Sequence, residues 1–265
     1  MYSHTTMALK YCYYWLTASN KKGHGMHSPF VFNLIQQVLL DKRKFYQFDS
    51  IEKIRKELLA DETIIDIIDF GAGSKKLSSK KRKISAIAKS SLKPKKYSQL
   101  LFRLVDYFQS KIIVESGTSL GVTTLYLASA NSKSEVYTFE GAPEIANIAQ
   151  QNFNQLQFKN IQLIVGNFDN TLSSVLTTIN QIDLAFIDGN HRYEPTINYF
   201  NQLLLKSNEK SIFILDDIHW SKEMEQAWEV IKNNHQVTAT IDLFFIGIVV
   251  LSKDFKIKQH FKVKY

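Results

Sequence analysis

Cysteine is all but missing: one, Cys12, stands among 265 residues. It cannot close an internal disulfide, and such scarcity fits a reducing cytoplasm. Set between Tyr11 and Tyr13, the thiol reads as packing. Long apolar runs are missing too. The longest, Leu243 to Leu251, falls far short of the roughly 20 residues of a membrane span and reads as a strand. The opening residues have no basic stretch ahead of an apolar core and no small-residue cleavage site, so no signal peptide is expected. Internal repeats and low-complexity segments are absent.

What is there reads as a soluble globular chain, 45% hydrophobic and 22% charged, long enough for one sizeable α/β domain plus an extension. The net charge of +8 is uneven: residues 1–110 hold 20 of the 33 Lys and Arg but 9 of the 25 Asp and Glu. Lys75 to Lys83 (KKLSSKKRK) is the densest basic run. Such a patch can meet phosphates, RNA or an acidic partner, but no interleaved aromatics support an RNA motif, and a solvated loop is the plainer reading.

The chain turns on residues 112–130, IIVESGTSLGVTTLYLASA. The β-branched run Ile112 to Val114 marks a buried strand. Gly117, Ser119 and Gly121 then alternate, and an apolar helix follows. Small residues in such a turn let backbone approach a ligand, as at a nucleotide site. TIIDIIDFGAGS, residues 63–74, imitates this arrangement. It is followed by the basic run instead of an apolar helix, and no strand ending in an acid comes about 20 residues later. It is therefore set aside as a lid or substrate-side segment.

Residues 1–60 read as helical, with Tyr11, Tyr14, Trp15 and Leu16 on one face. Ser28 before Pro29 makes a good helix start for an apolar helix over 30–40. His24 and His27, in the loop KKGHGMHSP, offer metal or substrate contacts, although loop histidines are more often solvated. An amphipathic helix over 97–108 leads into the core.

From residue 111 strands and helices alternate. Strands are expected near 112–115, 135–139, 161–165, 183–187 and 211–215, and helices near 120–130, 143–156, 171–179, 194–205 and 221–233. Strict alternation implies a parallel sheet with right-handed crossovers. Val237 to Ile241 and Phe245 to Ser252 close the chain as an antiparallel hairpin.

An open parallel sheet presents ligand-binding residues at its strands' carboxyl ends. The first strand gives Glu115, Gly117, Ser119 and Gly121. The second ends at Glu140, placed to accept both hydroxyls of a ribose. The third gives Gly166, Asn167, Phe168 and Asp169 for an adenine ring. The fourth ends FIDGNHRYE, with Asp188, His191 and Arg192 at its mouth. An acid there is costly to bury without a purpose. The fifth ends ILDDIHWS, giving Asp216, Asp217, His219 and Trp220. Asp216 and Asp217 can hold a metal or precede a helix as caps. His219 and Trp220 read as packing or pocket wall.

In these residues, about 97 to 252, the chain resembles the class I S-adenosylmethionine-dependent methyltransferases. ESGTSLG matches their acid-x-Gly-x-x-x-Gly loop, and the closing hairpin matches their antiparallel last strand. FIDGNHRYE and LDDIHW resemble the small-molecule O-methyltransferases of the catechol and caffeoyl-CoA type. HGMHSPFVF, DFGAGS and YSQLLFRLV resemble extensions in uncharacterised bacterial relatives. The resemblance implies a Rossmann-like seven-stranded α/β sheet with helices on both faces and a carboxyl-terminal antiparallel hairpin. It divides the chain into a mainly helical amino-terminal extension or lid, 1–96, and a methyltransferase domain, 97–265.

It also implies roles. Gly117, Ser119 and Gly121 would pass under the methionine of S-adenosylmethionine, Thr118 and Thr123 could hydrogen-bond its carboxylate, and Glu115 counts among the cofactor-binding residues. Glu140 would hold the ribose, Gly166 and Asn167 would flank the adenine, and Asp188 would border the cofactor. Asp188, Asp216 and Asp217 would hold Mg²⁺ or Mn²⁺, with Asp217 standing where the family has Asn. His191 stands where the family's base is Lys, and an imidazole can take a proton from a hydroxyl; with Asp188 it forms the expected catalytic pair. The alternative for His191 is a hydrogen bond to Asp188 or a loop carbonyl.

The implied acceptor is a small molecule, with methylation of RNA as an alternative and no membrane partner. An NAD(P)-dependent oxidoreductase would share the turn and the ribose acid, but ESGTSLG is not G-x-G-x-x-G and the hairpin would be unexplained. A non-catalytic binding module on the same fold is the third class. Oligomeric state, a dimer included, is not set by the sequence.

Overall fold

A computed structural model describes residues 1–19, 27–68 and 79–265. His24, the segment DFGAGS and Lys75 to Ser78 lie outside the described residues.

The helices and strands follow the polarity pattern closely. Helix α1 is His4–Thr17. Helix α2 is Pro29–Leu34, capped as expected by Ser28, whose hydroxyl accepts from the Val31 amide. It continues as a π-helical turn, Ile35–Leu39. Helix α3 is Gln47–Ala60. Strands β1 (Ile64–Ile68) and β2 (Ser79–Lys83) pair antiparallel. The described part of the basic run is therefore a strand and not a loop. Its backbone is satisfied by β1, and Lys81, Arg82 and Lys83 stay in solvent. Helices α4 (Ile84–Ser91) and α5 (Lys95–Phe108) follow.

The alternation then runs β3 (Ile112–Ser116), α6 (Val122–Ser129), β4 (Glu135–Glu140), α7 (Pro143–Gln155), β5 (Ile161–Val165) and α8 (Phe168–Thr178). It continues with β6 (Leu184–Ile187), α9 (Tyr193–Leu204), β7 (Ile212–Asp216) and α10 (Lys222–Asn233). Strands β8 (Ala239–Asp242), β9 (Ile246–Val250) and β10 (Gln259–Lys262) close it. The seven expected strands are present, and β10 adds an eighth, parallel to β8.

The chain parts into two compact units, Met1–Asp41 with Ile179–Tyr265, and Lys42–Thr178. The boundary expected at 96/97 falls inside the second unit. The packing gives the reason. Phe48, Ile51, Ile54 and Leu58 of α3 share a core with Phe102, Leu125, Tyr126 and Phe153, so α3 to α5 belong with the first βα turns. The Tyr126 hydroxyl donates to Glu52 at 2.8 Å. Arg55 donates to the Lys93 carbonyl and to Ser98 Oγ, fixing the start of α5. In this unit β4 pairs parallel with both β3 and β5.

In the other unit β6 and β7 pair parallel, and β9 runs antiparallel between β7 and β8. This is the inserted last strand that the hairpin implied. Every residue of β6, β7, β8 and β9 is buried, as strands covered on both faces require. Helix α1 packs here. Tyr14 is buried against Phe244 and its hydroxyl donates to the Val263 carbonyl. Tyr11 meets Phe244 edge-on, ring centres 4.9 Å apart. No described helix is long and apolar enough to cross a membrane.

Candidate functional site

The turn after β3 needs its glycines. Gly117 and Gly121 have φ of +97° and +81°, and Ser119 takes +49° between them. A Cβ on Gly121 would lie 2.5 Å from Cε1 of Phe153, so the turn can sit on α7 only without a side chain there. The amides of Gly117 and Thr118 both donate to the Phe139 carbonyl, tying the turn to the end of β4. Helix α6 then starts at Gly121 without a side-chain cap. Its first amides lack intrahelical partners, the usual basis for anion affinity at a helix start.

Two carboxylates organise this turn. Glu140, at the end of β4, accepts the Ser119 amide on Oε2 at 2.8 Å and the Ala142 amide on Oε1 at 3.0 Å. Burial raises its pKa, and those amides pull the other way. Space is open beside it: a Cβ on Gly141 would meet nothing within 4 Å. Glu115 is different. It is wholly buried, and its Oε2 accepts from Thr124 and from Thr138, the latter at 2.7 Å. Its Oε1 has no hydrogen-bond partner among the described residues. Burial pushes this carboxyl up to about 7, with the two threonine hydroxyls restraining the rise.

The threonines also look inward. Thr118 Oγ1 lies 2.6 Å from Thr138 Oγ1, and Thr123 is buried. Ser119 is the more outward member of the turn, its hydroxyl on Ser91 Oγ at 2.8 Å. Ser91, at the end of α4, was not signalled by any motif. After β5, the Gly166 amide donates to the Glu140 carbonyl, with φ at +136°. Asn167 Oδ1 accepts from the Asp169 amide. Phe168 stands edge-on to Phe139, 4.7 Å between centres.

The other unit carries the acids of the later strands. Asp188 follows β6. A tight turn through Asn190, at φ +53°, is closed by the Arg192 amide on the Asn190 carbonyl. The turn returns His191 over Asp188, with Nε2 3.7 Å from Oδ1. Asp216 ends β7. One ligand atom each from Asp188, His191 and Asp216 lies within 4.8 Å of the other two. Asp217 is not in this group. Its φ is +53°, its amide donates to the Phe245 carbonyl at 2.7 Å and its carbonyl accepts from Trp220.

His219, read as packing or pocket wall, packs against Phe244, ring centres 5.1 Å apart, and also sits in a charged network. Its Nδ1 is 3.0 Å from Glu225 Oε1 and its Nε2 3.0 Å from Asp242 Oδ2. Burial opposes charge on the ring, but the two carboxylates outweigh it and raise its pKa. Tyr2 and Lys10 of the α1 segment also donate to Glu225, and the Tyr2 amide donates to the Trp220 carbonyl. Burial raises the Glu225 pKa, but these donors outweigh it and hold the carboxyl below its ordinary value. Asp242, at the end of β8, had no motif to signal it. His27 is exposed.

Residues 114–218 match the family model of a methyltransferase domain. That span contains both carboxylates of the glycine turn and the Asp188, His191 and Asp216 group. An O-methyltransferase from Bacillus cereus, in complex with S-adenosylhomocysteine, superposes with a TM-score of 0.57 at 18% identity, covering 83% of this chain and 97% of that one. The O-methyltransferase of tomaymycin synthesis from Streptomyces achromogenes, in complex with S-adenosylmethionine, gives 0.53 at 16%, covering 84% and 96%. An S-adenosylhomocysteine-bound methyltransferase from Podospora anserina gives 0.55 at 12%, covering 81% and 100%. An uncharacterised protein of Acanthamoeba polyphaga mimivirus is 36% identical over 64 residues, 23% of this chain, and the chain spans 29% of that relative's length. The βα alternation, the inserted antiparallel strand and the solved structures agree on the fold: the chain has the class I methyltransferase fold, and residues 114–218 match the family model of a methyltransferase domain.

Proposed function

We propose that the protein is an S-adenosylmethionine-dependent methyltransferase acting on an oxygen of a small molecule, with a divalent ion at the acceptor's end. The observation that carries the reading is Glu140. It is held by two backbone amides at the mouth of a glycine turn, beside open space, within a segment that matches a methyltransferase domain. A carboxylate so fixed keeps lone pairs for the two hydroxyls of a ribose. The bound S-adenosylhomocysteine and S-adenosylmethionine of the Bacillus and Streptomyces enzymes support the choice of cofactor.

The glycine turn and α6 would take the methionine of the cofactor. Glu115 supports the turn from below, and Thr118 and Thr123 serve it mainly through packing. Gly166 and Asn167 would border the adenine. The reaction displaces the sulfur of a sulfonium at a methyl carbon. The protein's task is to align nucleophile, methyl and sulfur, worth up to about 7–11 kcal/mol, and to relieve the acceptor of its proton. Asp188 and His191 are the groups offered for that proton. The donors Asp188, His191 and Asp216 fit a divalent ion. A bound ion would acidify an acceptor hydroxyl.

The test is thermal unfolding with S-adenosylmethionine, S-adenosylhomocysteine and NAD, followed by assay of S-adenosylhomocysteine release with a low-molecular-mass cell extract. Stabilisation by the first two and turnover with the extract are expected. Stabilisation by NAD alone would refute the reading. Turnover only with RNA, falling steeply with salt, would move the acceptor to RNA.

A further inference from the structure

We infer that His191 ligates the ion through Nε2, so that the site is Asp188–His191–Asp216 and takes Mn²⁺ in preference to Mg²⁺. The inference rests on the metal part of the function proposed above and gives His191 Nε2 to the ion in place of the proton role offered to it there.

The geometry comes first. Donor atoms sharing one ion at bonds of about 2.1 Å stand roughly 3–4.2 Å apart. Nε2 of His191 is already 3.7 Å from Oδ1 of Asp188, and the three ligand atoms lie within 4.8 Å of one another. Contractions of well under 1 Å put them on one sphere. The backbone holds the ring there, because the Asn190 turn folds residue 191 back over residue 188. Asp217, also in left-handed backbone, has its amide on the Phe245 carbonyl and is not one of the three grouped residues. The group is also graded in exposure. Asp216 is 6% exposed, the Asp188 side chain 17% and the His191 side chain 30%. Waters or an acceptor oxygen would complete the coordination from the more exposed His191 side.

The chemistry follows from the donor types. Mg²⁺ is a hard ion that prefers oxygen and sheds water reluctantly. An imidazole nitrogen suits borderline ions, and one nitrogen with two carboxylates suits Mn²⁺ better than Mg²⁺. A ring nitrogen bound to an ion carries no proton and accepts none. The ligand role and the base role therefore exclude each other at Nε2. Nδ1 remains to hydrogen-bond a neighbour and fix the ring, as is usual for ligating histidines.

The test uses the full chain, with Mn²⁺ and Mg²⁺ alone as probes. Pulsed electron paramagnetic resonance of the Mn²⁺-loaded wild type should show nitrogen modulation from a directly bound imidazole. It should vanish in His191→Asp, and the Mn²⁺-over-Mg²⁺ affinity ratio by calorimetry should fall by about tenfold or more. The half-open setting of the ring makes this variant a mild one, and its ion-free thermal unfolding serves as the folding control. The wild-type spectrum decides without any variant. Tight Mn²⁺ binding with no nitrogen modulation would overturn the inference and leave the metal reading standing. Failure to bind either ion, while S-adenosylhomocysteine still stabilises the protein, would overturn both and leave methyl transfer itself in place.

Discussion

Gly121→Ala tests the foundation of the glycine turn after β3. Two costs can be read from the structure. The first is conformational: at φ +81° an alanine is in the left-handed region, at about 1–2 kcal/mol. The second is steric. The new Cβ would stand 2.5 Å and 2.8 Å from Cε1 and Cζ of Phe153 and 3.1 Å from Cβ of Ala149. Phe153 is buried and Ala149 is fully enclosed, so neither withdraws freely. Overpacking of this kind costs about 1–3 kcal/mol. The sum, about 2–5 kcal/mol, corresponds to a fall in melting temperature of roughly 5–15 °C for a unit of this size. Scanning calorimetry measures it. Phe153→Leu separates the two costs. In that background Gly121→Ala should lose most of the steric cost and keep only the conformational one, a coupling of about 1–3 kcal/mol. A drop below about 2 °C, or a drop unchanged by Phe153→Leu, would refute the claim that the turn rests on Phe153.

Three further outcomes are expected. Glu115→Gln should flatten the pH dependence of stability. The folded pKa of about 7 exceeds the ordinary 4.5, so the wild type loses about 3 kcal/mol as pH rises from 4.5 through 7, and the variant should not; urea unfolding across that range checks it. Glu140→Ala should weaken S-adenosylhomocysteine binding by about ten- to a hundredfold, since charged hydrogen bonds contribute about 1.5–3 kcal/mol each; unchanged binding by calorimetry would remove the ribose assignment. Asp242→Asn should cost about 2–3 kcal/mol, while Lys10→Met, at a half-exposed pair, should cost less than about 1 kcal/mol. The raised His219 pKa places the Asp242 contribution below pH 6.5, fading as pH climbs through the folded value, so the two curves should converge at high pH.

Much of the fold was legible because strands β3 to β9 are apolar runs separated by amphipathic helices. Strand β10 was not, because its residues are mostly exposed and it is held by backbone pairing to β8. Nor was β2, since a run of lysines reads as solvent-facing whether or not its backbone is paired. Glu140 and Asp188 were legible because a strand's carboxyl end fixes where its next residue sits. The grouping of His191 with Asp188 and Asp216 depends on left-handed backbone at Asn190; Asn favours that region, but the residue type alone does not say that the turn brings His191 back over Asp188. The packing of His219 was legible, but its charged network was not, because Asp242 stands 23 positions away on the hairpin.

The fastening of Tyr14 to Val263 joins residues 249 positions apart. At about 5–20 residues per second of synthesis, the buried aromatic side of α1 waits roughly 12–50 s for the strand that covers it. Lys42–Thr178 has left the ribosome well before then, while the unit holding Asp188, His191 and Asp216 is still incomplete. The chain therefore matures from its middle outward. The unit that groups Asp188, His191 and Asp216 is finished last, after the glycine turn of the other unit has been made.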